Sequence, residues 1–245
     1  MTNTPNTKEN VNRFDADVKA TGSYAYTAEQ LSSKLANGRI TEGISAAYPF
    51  SGKRVLDLGC GDGAYTVMFA DLNVQTVLGV DPAAAAIEAA SRRAEAAGVA
   101  DRIRFATGNI YELGDLLDGD RFDVIVLRGV LHHLPDPARA IAALSGFKGT
   151  IIVLEPNGFN PVLKVLEKFS RYHIEHEERS FLPMTIEGWL TSAGFEVRQS
   201  SVINLVPMFC PDWMARPLNS MGGWVERLPL VRQIACGQSL IVAQR

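Results

Sequence analysis

Residues 55–63 read Val55-Leu56-Asp57-Leu58-Gly59-Cys60-Gly61-Asp62-Gly63. An apolar run enters a turn dense in glycine, and a helix-like stretch, 64–72, follows. Glycine lets a backbone reverse sharply and lie close against a flat ligand. A strand, such a turn and a helix form the usual seat of a nucleotide-like cofactor in a doubly wound sheet. The acids set this turn apart. Asp57 and Asp62 flank it, an awkward neighbourhood for a phosphate, which wants backbone N–H groups and positive potential.

Outward from the turn, strand and helix signals alternate. Strands are predicted at 54–58, 76–80, 103–107, 122–127, 150–155, 196–202 and 239–243, and helices at 64–72, 82–97, 137–145, 160–169 and 185–193. Runs such as Val124-Ile125-Val126-Leu127 are apolar without interruption, as expected of strands covered on both faces. The pattern predicts an α/β fold, a single doubly wound domain with a parallel sheet. Upstream, Thr27, Leu31 and Leu35 start a short helix that Asn37-Gly38 is expected to stop. Residues 1–12, rich in Asn, Thr and Lys, read as a disordered tail, and 13–245 as the domain. Two stretches break the alternation, 156–184 and 203–238, and excursions of that length predict substrate lids.

Bulk properties narrow the class. The chain has 245 residues, 47 % apolar and 21 % charged, with a net charge of −3 and no long Lys/Arg run. That excludes the basic footprint of a nucleic-acid binder. Its cysteines, Cys60, Cys210 and Cys236, are scattered, which fits a reduced cytoplasm. No stretch approaches the ~20 apolar residues of a spanning helix. A cytoplasmic, enzyme-sized domain acting on a small molecule is expected.

The turn admits two cofactors. Gly59, Gly61 and Ala64 satisfy a G-x-G-x-x-A pattern, and Asp81 falls where an acid would hold a ribose, so a nicotinamide-dependent oxidoreductase is one reading. Electrostatics favours another. Like charges ~4 Å apart repel by about 4 kcal/mol at an effective dielectric of ~20, which penalises a pyrophosphate beside Asp57 and Asp62. S-adenosyl-L-methionine carries no phosphate; it carries a sulfonium and an ammonium group.

Val55–Gly63 closely resembles the first motif of class I S-adenosylmethionine-dependent methyltransferases. Gly79-Val80-Asp81-Pro82 resembles their second motif, Gly108-Asn109-Ile110 their third, and 122–136, ending His132-His133-Leu134-Pro135-Asp136, their fourth strand and the loop after it. The resemblance implies a seven-stranded, mostly parallel sheet whose last strand is antiparallel. It implies cofactor contacts from Asp57, Gly59, Cys60 and Gly61, ribose binding by Asp81 beside Pro82, and adenine recognition at Asn109 and Ile110. The family usually has Asp where this chain has Asn109, and the amide oxygen still accepts a hydrogen bond. A catalytically silent cofactor-binding protein is a further reading.

Arg128 and Gly129 follow the fourth strand; Arg128 suits the methionine carboxylate or an acidic substrate, with a surface salt bridge as the plain alternative. A general base is sought first at His133, then at His132 and His173. The spacing of His173, His176 and Glu177 matches no trusted metal motif, so no metal is expected. Tyr24 is expected to shield the sulfonium. In 203–238, Phe209, Trp213, Met221 and Trp224 suit a pocket lid first, a homodimer interface second and a membrane surface third. The acceptor is expected to be an oxygen, or else a nitrogen, of a small or lipid-like metabolite.

Overall fold

The computed structural model describes residues 30–117, 121–169 and 179–245. The expected tail, Tyr24, His173 and His176 lie outside them. Strands β1 (Arg54–Leu58), β2 (Thr76–Asp81), β3 (Ile103–Thr107), β4 (Val124–Arg128), β5 (Thr150–Pro156), β6 (Glu196–Ile203) and β7 (Gln238–Gln244) form one sheet in the order β3-β2-β1-β4-β5-β7-β6. β1 pairs in parallel with β2 and β4, whereas β7 runs antiparallel between β5 and β6. The helices are α1 (Leu31–Ala47), α2 (Ala84–Ala96), α3 (Pro137–Ala143), α4 (Pro161–Phe169), α5 (Pro183–Ser192), α6 (Asp212–Val225) and α7 (Pro229–Ala235).

The apolar strands explain the layers. Leu56, Leu58, Ile125, Leu127, Ile151 and Val153 point to one face, where Ile141 of α3, Leu144 just after it, and Ile186 and Leu190 of α5 cover them. Val55, Val124, Val126, Ile152 and Leu154 point to the other, beneath Ile40 and Ile44 of α1 and Phe69. Asp57 shares the face of Val55, because side chains alternate along a strand. A carboxylate thus lies under α1 at the carboxyl end of the central strand. The strand order reverses between β1 and β4, and ligands of open α/β sheets bind at such a switch point.

Two helix predictions need correction. Asn37-Gly38 does not stop a helix; α1 runs through it to Ala47. A glycine inside a helix costs about 1 kcal/mol, less than is gained by burying Ala36, Ile40 and Ile44 together. The stretch 64–72 is a turn and then a 3-10 helix, Val67–Leu72, whose bonds run from Met68 N–H to Tyr65 and from Phe69 N–H to Thr66. Thr66 is tethered to Asp57 by its hydroxyl, which draws the start of this segment onto β1. The predicted strands lie within two residues of the observed ones. The excursion 203–238 contains α6 and α7.

Candidate functional site

The turn after β1 is held from β2. Gly59 N–H and Cys60 N–H both donate to the Val80 carbonyl, at 2.7 and 3.2 Å. Gly59 has φ +76°, and a Cβ there would lie 2.5 Å from Val130 Cγ2. Both the dihedral and the packing against Val130 demand glycine. Gly61 donates to Asp81 Oδ2 at 3.0 Å. Burial pushes the Cys60 thiol well above its usual range, so it stays neutral.

Asp81 ends β2. Its Oδ1 accepts from Ala83 N–H at 2.9 Å and its Oδ2 from Gly61. It does not cap α2, whose N-cap is Ala83. It ties the glycine turn to the start of that helix, with Pro82 exposed beside it, and each oxygen keeps lone-pair capacity for hydroxyl donors. Burial pushes the carboxyl up to about 6. Next to it, Gly108 N–H bonds the Asp81 carbonyl, and Asn109 Oδ1 accepts from Tyr111 N–H at 3.1 Å. Ile110 is buried in the core.

The other two acids differ from each other. Asp62 is buried and ion-paired to Arg93 at 3.1 Å, with its other oxygen on Ala64 N–H. Its charge is compensated, so the electrostatic case for a cationic ligand rests on Asp57 and Asp81 instead. Asp57 accepts from Thr66 Oγ1 at 2.6 Å and is pushed up to about 6, by burial above all. A buried carboxylate so destabilised favours a cation brought against it.

Arg128, at the end of β4, is half-buried. It donates to Thr41 Oγ1 at 3.0 Å and Asn37 Oδ1 at 3.1 Å, and its guanidinium lies 3.6 Å from the centre of the Tyr65 ring. Gly129 N–H donates to the Leu154 carbonyl. The sequence reading missed Glu155. This side chain is 0 % exposed and accepts from Val130 N–H and Leu131 N–H at 2.7 Å each, from His132 N–H at 3.2 Å, and from His132 Nδ1 at 2.7 Å. The available signal was one acid at the end of an otherwise apolar strand. The rings of His132 and His133 lie 3.8 Å apart.

Asp57, Gly59, Cys60, Arg128, Gly129, His132 and His133 share the wall of one cavity of about 680 Å³. Asn37 and Thr41 of α1, Leu163 and Leu166 of α4, and Met208 and Phe209 complete it. Gly61, Asp81, Pro82, Asn109 and Ile110 stand outside this wall, at the ends of β1, β2 and β3. Among the described residues, no group of three His, Cys, Asp or Glu is placed to hold a metal ion.

The parts fit S-adenosyl-L-methionine. Gly59 lines the cavity, Asp81 keeps acceptor capacity for ribose hydroxyls, and the cavity presents a carboxylate, Asp57, and a guanidinium, Arg128, to the two charges of an amino-acid end.

The comparisons agree with this geometry. A methyltransferase-domain family model matches residues 49–202. The ubiquinone biosynthesis O-methyltransferase of Azorhizobium caulinodans is 31 % identical over 166 residues, 62 % of each chain. The 27-O-demethylrifamycin SV methyltransferase of Amycolatopsis mediterranei is 34 % identical over 102 residues, 41 % of this chain and 37 % of that protein. The chain spans less than two thirds of the length of the curated relatives it first matches. Among solved structures, geranyl diphosphate C-methyltransferase from Streptomyces coelicolor superposes over 100 % of both chains with TM-score 0.69 at 17 % identity, which establishes the fold. With the family model spanning residues 49–202, most of the chain, the nicotinamide reading falls, and the chain belongs to the class I S-adenosylmethionine-dependent methyltransferases.

Proposed function

We propose that this protein transfers a methyl group to an ionisable oxygen of an acceptor with an apolar body, and that His132 is the general base. The observation that carries this is the joint wall of the cavity, which His132 shares with Asp57, Arg128 and apolar residues such as Leu166 and Phe209. The ubiquinone-biosynthesis relatives, named as O-methyltransferases, support oxygen over nitrogen.

S-adenosyl-L-methionine supplies an electrophilic methyl group when bound. The chain's own residues do the rest. Arg128 and Asp57 hold the amino-acid end, Asp81 the ribose, and Asn109 and Ile110 the adenine edge. Glu155 fixes the tautomer of His132. As an acceptor of three backbone N–H bonds it takes the Nδ1 proton as a fourth, which leaves the ring's lone pair on Nε2. An acceptor O–H gives its proton to Nε2 as the oxygen takes the methyl group, and Glu155 balances the imidazolium charge, as the carboxylate of a catalytic triad does. The contact of Glu155 with His132 Nδ1 is what favours His132 as the base. The apolar wall excludes water and positions the acceptor, which supplies much of the rate in an in-line displacement.

Calorimetry with S-adenosylhomocysteine tests the cofactor half. Asp81→Ala is expected to weaken binding at least about tenfold, since charge-assisted bonds contribute about 1.5–3 kcal/mol each. Unchanged affinity would reduce Asp81 to support of the turn. Transfer of labelled methyl to alkylated phenols tests the acceptor half; a chain that binds the cofactor product and methylates only amines refutes the oxygen assignment.

A further inference from the structure

We infer that α4, α6 and α7 form a docking face for an anionic lipid bilayer, with the cavity opening onto it. Each helix carries an apolar stripe at helical spacing, and each stripe faces solvent. On α4, Val162, Val165, Leu166 and Phe169 recur at i, i+3, i+4 and i+7, and no residue of that helix is buried. On α6, Trp213, Met221 and Trp224 share a face, and on α7, Leu230 and Ile234 do. Phe169 is 78 % exposed, Trp213 76 % and Leu230 80 %. An amphipathic stripe ordinarily packs on a core; here each of the three stripes is exposed.

Hydrogen bonds tie the start of α4 to α7, and α6 leads into α7 through residues 226–228. Asn160, just before α4, donates to the Ala235 carbonyl that ends α7, and Asn157 donates to the Gln233 and Cys236 carbonyls. Val162, Leu166 and Phe209 belong both to the exposed face and to the cavity wall. An apolar acceptor could pass from a bilayer into the cavity without crossing water.

Charge selects the occupant. These helices and the link between α6 and α7 carry Lys164, Lys168, Arg216, Arg227 and Arg232 against Glu167, Asp212 and Glu226, in a chain whose net charge is −3. Two of those acids are engaged, Glu226 by Arg39 and Glu167 by Lys164 and Ser180. Among the described residues Lys168, Arg216 and Arg227 make no ion pair, and all are exposed. A face of exposed tryptophan and aliphatic side chains set among basic groups is complementary to lipid phosphate over acyl chains. A second copy placed by a two-fold axis would set the basic side chains against themselves. No described helix is long and apolar enough to cross a membrane, so the contact lies in the interface.

Vesicle flotation of the full chain tests this, with phosphatidylcholine containing about one third phosphatidylglycerol and with phosphatidylcholine alone. The chain is expected to float with the anionic vesicles and much less with the neutral ones. Trp213→Ser with Trp224→Ser and Leu230→Ser should reduce partitioning by about tenfold or more. Arg216→Gln with Arg227→Gln should reduce it about fivefold per residue on anionic vesicles only. All are exposed side chains, so both variants should bind S-adenosylhomocysteine as the parent does. A parent chain that fails to float, or variants that float equally well, would overturn the proposal. So would a parent that sediments as a dimer, splits on the tryptophan and leucine changes, and ignores vesicles. Loss of S-adenosylhomocysteine binding by the parent with flotation intact would strike the methyltransfer reading and leave this one standing.

Discussion

Asp57→Asn should make the protein more stable and a worse binder, and the two effects should separate with pH. The Asp57 carboxyl is pushed from 3.8 to about 6, because it is buried and faces Asp81, although Thr66 and Arg128 oppose the shift. At about 1.36 kcal/mol per pH unit, holding it ionised in the folded chain at neutral pH costs roughly 3 kcal/mol. Because the folded-state value lies above the unfolded one, the folded protein binds more protons between about pH 4 and 6. The contribution of Asp57 to stability is therefore greatest below about pH 4 and is lost as pH rises through 6. Asparagine keeps an acceptor for the Thr66 hydroxyl, donated across 2.6 Å, and removes the charge. Allowing for relaxation around Asp81, the expected gain at about pH 7.5 is roughly 1–3 kcal/mol, or about 3–9 °C in Tm for a domain of this size. Near pH 4 the gain should vanish, since the parent carboxyl is then protonated too. The same change deprives the cofactor's ammonium group of its carboxylate and should weaken S-adenosylhomocysteine binding about 10- to 100-fold. Thermal unfolding followed by circular dichroism at both pH values, with calorimetry, measures all three quantities. A variant no more stable near pH 7.5, or stabilised equally at both, would refute the reasoning.

Glu155→Ala leaves three backbone N–H groups and Nδ1 of His132 without their buried acceptor, so denaturant titration should show a loss of about 3–5 kcal/mol; a loss under about 1 kcal/mol would contradict the anchoring role. Glu155→Gln should move the His132 proton from Nδ1 to Nε2, visible as exchanged ring-nitrogen shifts in ¹⁵N NMR, and an unchanged tautomer would remove His132 as the anchored base. Gly59→Ala combines a φ of +76° with a methyl 2.5 Å from Val130, in a loop that Glu155 prevents from yielding, and should cost about 2–4 kcal/mol. Gly98→Ala, at φ +68° with nothing within 4 Å, isolates the backbone term and should cost about 1 kcal/mol; equal losses would show that crowding at Gly59 is unimportant. Asp57 and Asp81 both lie near 6, so affinity for S-adenosylhomocysteine should fall as pH drops below 6, and calorimetry giving a flat profile from about pH 5 to 7.5 would assign the ligand's ammonium to other groups.

The strands were legible because continuous apolar runs bounded by glycine and proline admit few other structures. The helices were less so where a side chain has a tertiary partner. Asn37-Gly38 reads locally as a stop, yet Asn37 is held by Arg128 and α1 continues. Thr66 lies in a helical run, yet its hydroxyl is engaged by Asp57. At the site, the glycine turn, Asp57 and Asp81 were visible because they are close in sequence or set at a known spacing. Glu155 and its histidine are 23 residues apart and nothing in their neighbourhoods links them. The same holds for Asp62 and Arg93, 31 residues apart, a pairing that reverses the part given to Asp62.

By itself, then, the sequence determined the α/β alternation and the glycine turn, and its ordered motifs pointed by resemblance to the cofactor class. The first two follow from local backbone freedom and apolar periodicity, both properties of neighbouring residues. The tertiary structure alone decided which carboxylates remain uncompensated, which histidine has a carboxylate at its Nδ1, and that the apolar stripes of α4, α6 and α7 are exposed. Charge compensation, proton position and exposure depend on which distant groups the fold brings within a few ångströms, and no window of sequence contains that.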